Sequence, residues 1–417
     1  MTIVPRKLTS IILAATTAAL LATTVSQSAA QNMTPELDAW LKANELGSYA
    51  DDSENWDDIV AKAKEEGEVI VYTSSGRIAK LVDDFNALYP EITLTVFDLG
   101  SVKTVEKSVR EQDAGLYNAD VITTGNSGQV IYEMLNKNRI FNYVPLHYVD
   151  RIPVENREPL LIRVNEAMVI FYNREAYPDA PPVTNIWELT ESRFSGRIGM
   201  KNPMSSGSTF MGVSTLVQHP DEMAAAYKRH TGEDIVLGEG VPNAGFEFVA
   251  RLLKNDLVIF KSGSKLAGAS GKKGQEKPLI AFANMTYISR NDSDDYVNVI
   301  LSDLDPVAKL VYPTYTSIAR QAPHPNAAKV LTAYLLGSTD LNKDTVLEKP
   351  YLEGDSFTKL QGLAPYFDAG SVSPRSDVPL PQGGEIWDEM TGWNVSADFM
   401  WTQGPMLRDF WLLQSSQ

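Results

Sequence analysis

Four short segments of the chain combine hydroxyl side chains with glycine or asparagine, a composition that suits the binding of an anion or a polyol. Backbone N–H groups at the start of a helix are unpaired and lie at the positive end of the helix dipole, so they favour a phosphate or a carboxylate. Neighbouring hydroxyls supply further donors without fixed charge. The candidate ligand-binding residues are Thr73, Ser74 and Ser75; Gly125, Asn126 and Ser127; Ser205, Ser206, Gly207, Ser208 and Thr209; and Asn284.

Two larger side chains accompany these segments and are also candidate ligand-binding residues. Arg77 adds a cation beside the first segment, and Tyr287 follows the last one, where it could hydrogen-bond to a ligand or stack on it. Simpler explanations remain open: Ser208 caps a helix, Arg77 is a surface residue of a first helical turn, and Tyr287 is a half-buried core tyrosine. The recurrence of one composition at four predicted strand ends favours a ligand site.

Catalytic and metal sites have little support in the sequence. The four histidines are scattered, and the chain has no His-Glu-x-x-His pattern, no Gly-x-Ser-x-Gly pattern and no cysteine. Ser206 or Ser208 could serve as the nucleophile of a secreted hydrolase, but nothing in the sequence nominates its base. We therefore expect no catalytic residue, no metal site and no cofactor, with a secreted serine hydrolase as the alternative from another functional class.

The acidic composition excludes several classes of partner. The chain has 417 residues, with 53 acidic against 37 basic side chains and a formal net charge of −16. Nucleic acids and anionic membranes are bound through dense clusters of lysine and arginine, which this sequence lacks. Hydrophobic residues make up 43% of the chain, so it is large and apolar enough for more than one domain. Without cysteine it can form no disulfide.

The N-terminal residues 1–30 have the pattern of a cleaved signal peptide. Arg6 and Lys7 form a basic start, Leu8 to Ala22 is an uncharged stretch, and Ser28, Ala29 and Ala30 form a cleavage site of small residues. No other stretch reaches the roughly 18 to 20 apolar residues of a transmembrane helix. We expect export to the periplasm and a soluble mature chain, with an uncleaved membrane anchor as the alternative.

The mature chain is predicted to alternate strands with helices. Residues 31–66 form two amphipathic helices, and from Glu68 to Asn136 short β-branched runs alternate with helical segments. This alternation predicts βαβ units and a parallel sheet, in which ligands bind beyond the carboxyl ends of the strands. The four hydroxyl-rich segments lie at such strand ends.

Two apolar runs, Leu160–Val164 and Met168–Tyr172, break this rhythm, as strands that cross between two lobes would. A second α/β unit follows, from the strand near Gly196 to the strand Leu279–Ala283. The predicted division places lobe 1 at residues 67–160 and 302–345, lobe 2 at 161–301, and a C-terminal extension that packs on the lobes at 346–417.

Several motifs, in the order in which they occur along the chain, resemble those of the type II periplasmic solute-binding proteins of ABC importers, the group that includes the ferric-ion binders. They are Gly67–Tyr72, Phe85–Pro90 before Ile92, Ala119–Val121, Phe194–Gly199 and Ala322–Ala328. The resemblance implies an α/β fold of two lobes, each a sheet flanked by helices, joined by crossing strands and closing over a ligand. It also implies a cognate ABC permease as partner, and we expect a monomer.

The chain departs from the ferric subgroup at the residues that would bind iron. That subgroup uses a histidine or tyrosine in the first loop and two adjacent tyrosines after the strand that ends here at Ala283. This sequence has Thr73–Gly76 in the first loop and a single tyrosine, Tyr287, in the later one. Hard Fe³⁺ needs anionic oxygen ligands. We therefore expect the ligand to be a small organic anion, a class that includes phosphorylated solutes. Ferric iron or an iron chelate is the alternative.

Overall fold

The computed structural model describes residues 33–51, 53–337, 360–381 and 384–416. The predicted signal peptide and the first part of the predicted C-terminal extension lie outside the described residues. No helix in the described part of the chain combines the length and the apolar character needed to cross a membrane.

The described strands belong to one mixed sheet. They are β1 (Glu68–Thr73), β2 (Thr93–Asp98), β3 (Val121–Thr124), β4 (Ile140–Phe141), β5 (Ile162–Asn173), β6 (Ile198–Lys201), β7 (Val258–Phe260), β8 (Ile280–Asn284), β9 (Asn298–Ile300), β10 (Lys309–Ala319) and β11 (Gly392–Asn394). Their main order is β2-β1-β3-β10-β5-β8-β6-β7, while β4 and β11 pair with β10 and β9 pairs with β5.

The helices of the described residues flank this sheet. The α-helices of six or more residues are α1 (Pro35–Ala43), α2 (Trp56–Glu66), α3 (Val82–Leu88), α4 (Ser101–Asp113), α5 (Gly207–Gln218), α6 (Pro220–Thr231), α7 (Ala244–Lys254), α8 (Gly263–Gly271), α9 (Pro325–Leu335), α10 (Ala397–Thr402) and α11 (Gly404–Ser415). Short α-helical turns lie at Ser127–Gln129, Val154–Arg157, Arg290–Ser293, Ala364–Phe367 and Glu385–Glu389. Short 3₁₀ helices lie at Gly47–Tyr49, Ile78–Leu81, Leu146–Arg151, Ile186–Thr190, Ser192–Phe194 and Met285–Ser289.

Lobe 1 is built around β2, β1 and β3, which run parallel as the alternation of strands and helices predicts. Gly67 ends α2 in the left-handed conformation, with φ +76°, and turns the chain into β1. Val69 and Val71 of β1 are fully buried, and α2 packs against α9 on the same lobe. The last of the helical segments predicted before Asn136 is a π-helix over Val130–Leu135.

Two long antiparallel strands, β5 and β10, join the lobes. The two apolar runs predicted as separate strands are a single strand of 12 residues, β5, because the polar pair Asn165 and Glu166 continues its extended backbone. On one side β10 pairs with β3 of lobe 1, and on the other β5 pairs with β8. Crossing strands between the lobes are thereby confirmed, but the pair consists of β5 and β10 rather than of the two apolar runs.

Lobe 2 contains β8, β6 and β7, which pair in parallel, and helices α5 to α8. The sequence reasoning missed α6, β7 and α8. β7 has only three residues and α8 is rich in glycine, so neither carries a strong periodic signal. Separate hydrophobic cores in the two halves, one around Phe85 and Val71 and the other around Phe171 and Phe282, support the two-lobed α/β architecture.

The C-terminal segment runs along both lobes. Val372 forms a bridge to Asn165 of β5, with N–H···O distances of 2.8 and 3.0 Å. Farther on, β11 pairs with β10, and α11 packs against α7 of lobe 2. The predicted lobe boundaries remain a prediction.

Candidate ligand-binding site

A cleft of about 560 Å³ lies between the lobes, at the carboxyl ends of β1, β3, β6 and β8. Most residues predicted for the site line it: Ser74, Ser75, Arg77, Gly125, Ser205, Ser206, Gly207, Ser208, Thr209, Asn284 and Tyr287. The fold thus brings all four hydroxyl-rich segments to one place.

Three predicted residues, Thr73, Asn126 and Ser127, do not line this cleft. Thr73 is fully buried, and its hydroxyl accepts a hydrogen bond of 3.0 Å from the backbone N–H of Ser75. Asn126 turns the chain with φ +72°, and the Ser127 hydroxyl donates to the sulfur of Met211 at 3.6 Å. Because their side chains bond to other groups of the protein, these residues support the loops of the site without lining the cleft.

Three helices begin at the cleft: α4 at Ser101, α5 at Gly207 and α8 at Gly263. The Ser206 hydroxyl caps α5 by accepting from the N–H of Thr209 at 3.4 Å, so the capping residue is Ser206 rather than Ser208. All three helices present the positive ends of their dipoles to the same space, which favours an anion there.

Arg163 places a buried positive charge in the wall of the cleft. Its side chain is 1% exposed, and its Nε donates to the Thr123 hydroxyl at 3.0 Å. The guanidinium lies over the ring of Tyr366, 3.8 Å from the ring centroid. Nη1 of Arg163 has no hydrogen-bond partner, and Arg163 forms no ion pair with any residue in the described part of the chain.

Other charges make the cleft electropositive. Arg77 donates to the Thr286 hydroxyl at 3.2 Å and lies 3.7 Å from Glu166, the one carboxylate among the lining residues. Burial lowers the pKa of Lys201. Arg290 pairs with Asp294, which raises the pKa of the guanidinium. The sequence predicts Arg77 as a cation of the site, whereas Arg163, Lys201 and Arg290 come from strands and a short helix outside the hydroxyl-rich segments.

Two tyrosines of the cleft, Tyr287 and Tyr312, are held as neutral phenols. Burial raises the pKa of Tyr287, and it raises that of Tyr312 well above its usual value. The amide of Asn284 donates to the Tyr312 hydroxyl at 2.6 Å. Within the described residues no cluster of three or more histidine, cysteine, aspartate or glutamate side chains could hold a metal ion. The cleft is therefore better suited to donate hydrogen bonds than to supply phenolates.

The two candidate nucleophiles have no histidine beside them. The Ser206 and Ser208 hydroxyl oxygens lie 3.2 Å apart, in hydrogen-bond contact with each other. All four histidines fall within the described residues and none lines the cleft. Their contacts are His147 with Trp56, His219 with Trp393, His230 with Glu191, and His324 with Asp120.

Several lining residues escaped the sequence reasoning: Ser101, Arg163, Glu166, Lys201, Arg290, Tyr312 and Tyr366. The sequence does mark two of them as unusual, since Arg163 interrupts an apolar run and Glu166 lies between two such runs. A charged residue inside a buried strand needs a specific partner, which marks it as a candidate for binding. The others become neighbours only through the packing of distant segments.

No protein-family model matches the chain, and no curated protein is similar enough to match. Solved structures do match. A substrate-binding protein of an ABC transporter from Agrobacterium tumefaciens is 13% identical, with a TM-score of 0.60 over 84% of this chain and 94% of that one. Iron-bound HitA from Pseudomonas aeruginosa is 15% identical, with a TM-score of 0.53 over 77% and 96%.

The periplasmic binding protein AgtB from Agrobacterium tumefaciens, in complex with agropinic acid, is 11% identical, with a TM-score of 0.55 over 84% of this chain and 99% of that one. HitA and AgtB carry different ligands on one scaffold, so the likeness concerns the fold. Together with the crossing strands and the interlobe cleft, it shows that the chain has the two-lobed type II fold of the periplasmic substrate-binding proteins of ABC transporters.

Proposed function

We propose that this protein is the periplasmic substrate-binding component of an ABC importer and that it captures a small organic anion, with phosphorylated solutes as leading candidates. The ligand lies between the lobes and is delivered to a permease in the inner membrane. No step of chemistry on the ligand is required. The proposal rests on the fold together with the charge and the donors of the cleft.

The buried guanidinium of Arg163 is the observation that carries the proposal. A buried charge is costly unless it is paired, and this one has a free Nη1 and no carboxylate partner among the described residues. An oxyanion in the cleft would supply the missing partner and form a charge-assisted hydrogen bond. A neutral polyol would leave the charge uncompensated.

The surroundings of Arg163 support the same ligand class. Arg77 and Lys201 line the cleft with one opposing carboxylate, Glu166, and three helix N-termini face the same space. Lys201 makes no ion pair with a described residue, and burial lowers its pKa, so an anion nearby would stabilise its charged form.

Contacts between the lobes support capture by closure. The N–H of Gly207 in lobe 2 donates to the Ser101 hydroxyl in lobe 1 at 3.2 Å, and Arg77 reaches Thr286 across the cleft. A ligand that touches both lobes binds the closed form more tightly than an open one, and it therefore shifts the population towards closure. The permease would then recognise the closed form.

Calorimetric titration of the exported protein tests the proposal, using inorganic phosphate, sugar phosphates, phosphonates, dicarboxylates and ferric citrate. We expect at least one organic anion to bind and to raise the melting temperature. Arg163→Met should weaken that binding by about 30-fold or more, because it removes one partner of a buried charge pair. Arg408→Met is the matched control, since Arg408 packs on Phe210 and does not line the cleft.

Two results would contradict this function. Stabilisation by ferric citrate alone, with a red-brown colour, would favour the iron alternative. Turnover of an ester or phosphoester that disappears in Ser206→Ala would favour a hydrolase.

A further inference from the structure

The C-terminal segment 360–381 contributes a side chain to the cleft, and the sequence reasoning assigned no ligand contact to that segment. Tyr366 lies in the short helix Ala364–Phe367 and is 1% exposed, yet it lines the cleft. Its hydroxyl is buried and has no hydrogen-bond partner. Buried tyrosine hydroxyls usually have a partner, so this one needs an explanation.

Tyr366 is in direct contact with the arginine on which the proposed function depends. Its ring supports the guanidinium of Arg163 at 3.8 Å, and Arg77 lies 5.6 Å from the same ring. The unpartnered Nη1 of Arg163 and the unpartnered hydroxyl of Tyr366 thus belong to two stacked side chains at one wall of the cleft. Both groups can donate a hydrogen bond, so one oxyanion group of the ligand, with its several acceptor lone pairs, would satisfy both.

The segment that carries Tyr366 is fixed to the rest of the site. Val372 is bridged to Asn165 of β5, and the Ser371 hydroxyl donates to Glu166 at 3.3 Å. Arg375, itself 2% exposed, donates to the carbonyl of Leu336 at 3.1 Å and pairs with Asp377. These contacts hold the segment against the crossing strand, so Tyr366 is positioned before any ligand arrives.

We propose that the hydroxyl of Tyr366 binds an oxygen of the anionic ligand beside Nη1 of Arg163, so that the C-terminal segment completes the binding site. This inference rests on the proposed function. The ligand group is then an oxyanion with two or more acceptor oxygens, such as a phosphoryl or carboxyl group. Tyr366 donates to one oxygen while Arg163 donates to another.

The test compares Tyr366→Phe with Tyr148→Phe. Tyr366→Phe removes only the hydroxyl and keeps the ring on Arg163. Tyr148 is the matched control because it is equally buried and lies under another arginine, Arg375, at 4.0 Å, outside the cleft. Each variant is titrated with inorganic phosphate, glucose 6-phosphate and succinate.

We expect Tyr366→Phe to weaken the binding of whichever probe the wild type binds by about tenfold or more, since a hydrogen bond to a charged group is lost. Its melting temperature without ligand should not fall, because the hydroxyl has no partner there. Tyr148→Phe should bind as the wild type does.

Two outcomes overturn the inference, and they are distinguishable. Wild-type affinity in Tyr366→Phe, together with a large loss in Arg163→Met, would place the Tyr366 hydroxyl outside the ligand's reach and leave the proposed function intact. Failure of the wild type to bind any of the three probes would contradict the inference and the oxyanion class together.

Discussion

The backbone N–H of Gly207 donates a hydrogen bond of 3.2 Å to the hydroxyl of Ser101, and this contact joins the N-termini of α5 and α4 in opposite lobes. Two positive helix ends therefore meet at the cleft. Like ends of two dipoles repel, and an anion between them would relieve that repulsion.

Gly207→Ala should weaken ligand binding by about tenfold or more, because closure then costs free energy that binding must offset. A Cβ at this position would lie 2.4 Å from the Ser101 hydroxyl oxygen and 3.0 Å from its Cβ. Titration calorimetry measures the loss, and small-angle scattering should show a more open protein. In the double variant with Ser101→Gly, which removes both obstructing atoms, binding should recover; an unchanged affinity in Gly207→Ala alone would contradict the prediction.

Binding should weaken as the pH rises from neutral towards 10. Burial lowers the pKa of Lys201, so this lysine loses its proton below the usual lysine range, and only its protonated form attracts an anion. Tyr287 and Tyr312 do not contribute in this range because burial raises their pKa values. Dissociation constants measured across this range in the wild type and in Lys201→Met provide the check, and the variant should bind more weakly but lose the alkaline dependence.

His147 should make the protein sensitive to mild acid. Burial lowers its pKa to about 3, from the usual 6.5, so the folded state keeps it neutral while the unfolded state takes up a proton. The contribution of the neutral histidine to the free energy of unfolding is therefore fully present above pH 6.5, and it is lost progressively as the pH falls towards 3. Between pH 7 and pH 5 the loss in the free energy of unfolding should be about 2 kcal/mol.

Urea unfolding at pH 7 and pH 5 measures this loss. His147→Gln cannot take up the proton, so its stability should fall less over the same interval. An equal fall in the two proteins would show that other groups cause the acid sensitivity.

Ferric citrate should give no visible tyrosinate band. The raised pKa values of Tyr287 and Tyr312 oppose formation of phenolates, and the nearby cations Arg77 and Arg290 oppose a trivalent cation. Absorption spectra recorded during titration with ferric citrate are the measurement. A band that is lost in Tyr287→Phe would overturn this expectation and the choice of an organic anion.

Much of the architecture could be predicted because it depends on local patterns. The run Glu68–Tyr72 is the first of several short apolar runs that alternate with helical segments. This alternation predicts a parallel sheet, and the prediction is confirmed. The hydroxyl-rich segment Ser205–Thr209 could be assigned to a helix start because capping is encoded in neighbouring residues. The sequence by itself thus determined the α/β class, the crossing strands and the neutral donors at the strand ends.

Only the tertiary structure decided the charge of the cleft. Arg163, Lys201 and Tyr366 are separated along the chain, and each lies in a segment whose local pattern indicates a buried strand or a turn. Arg163 and Lys201 are brought together by the pairing of β5 with β8 and of β8 with β6, and Tyr366 by the bridge between Asn165 and Val372. Long-range pairing of this kind depends on the packing of whole elements, which no local periodicity encodes. The sequence therefore determined the neutral donors of the site, and the fold decided which cations and which tyrosine lie beside them.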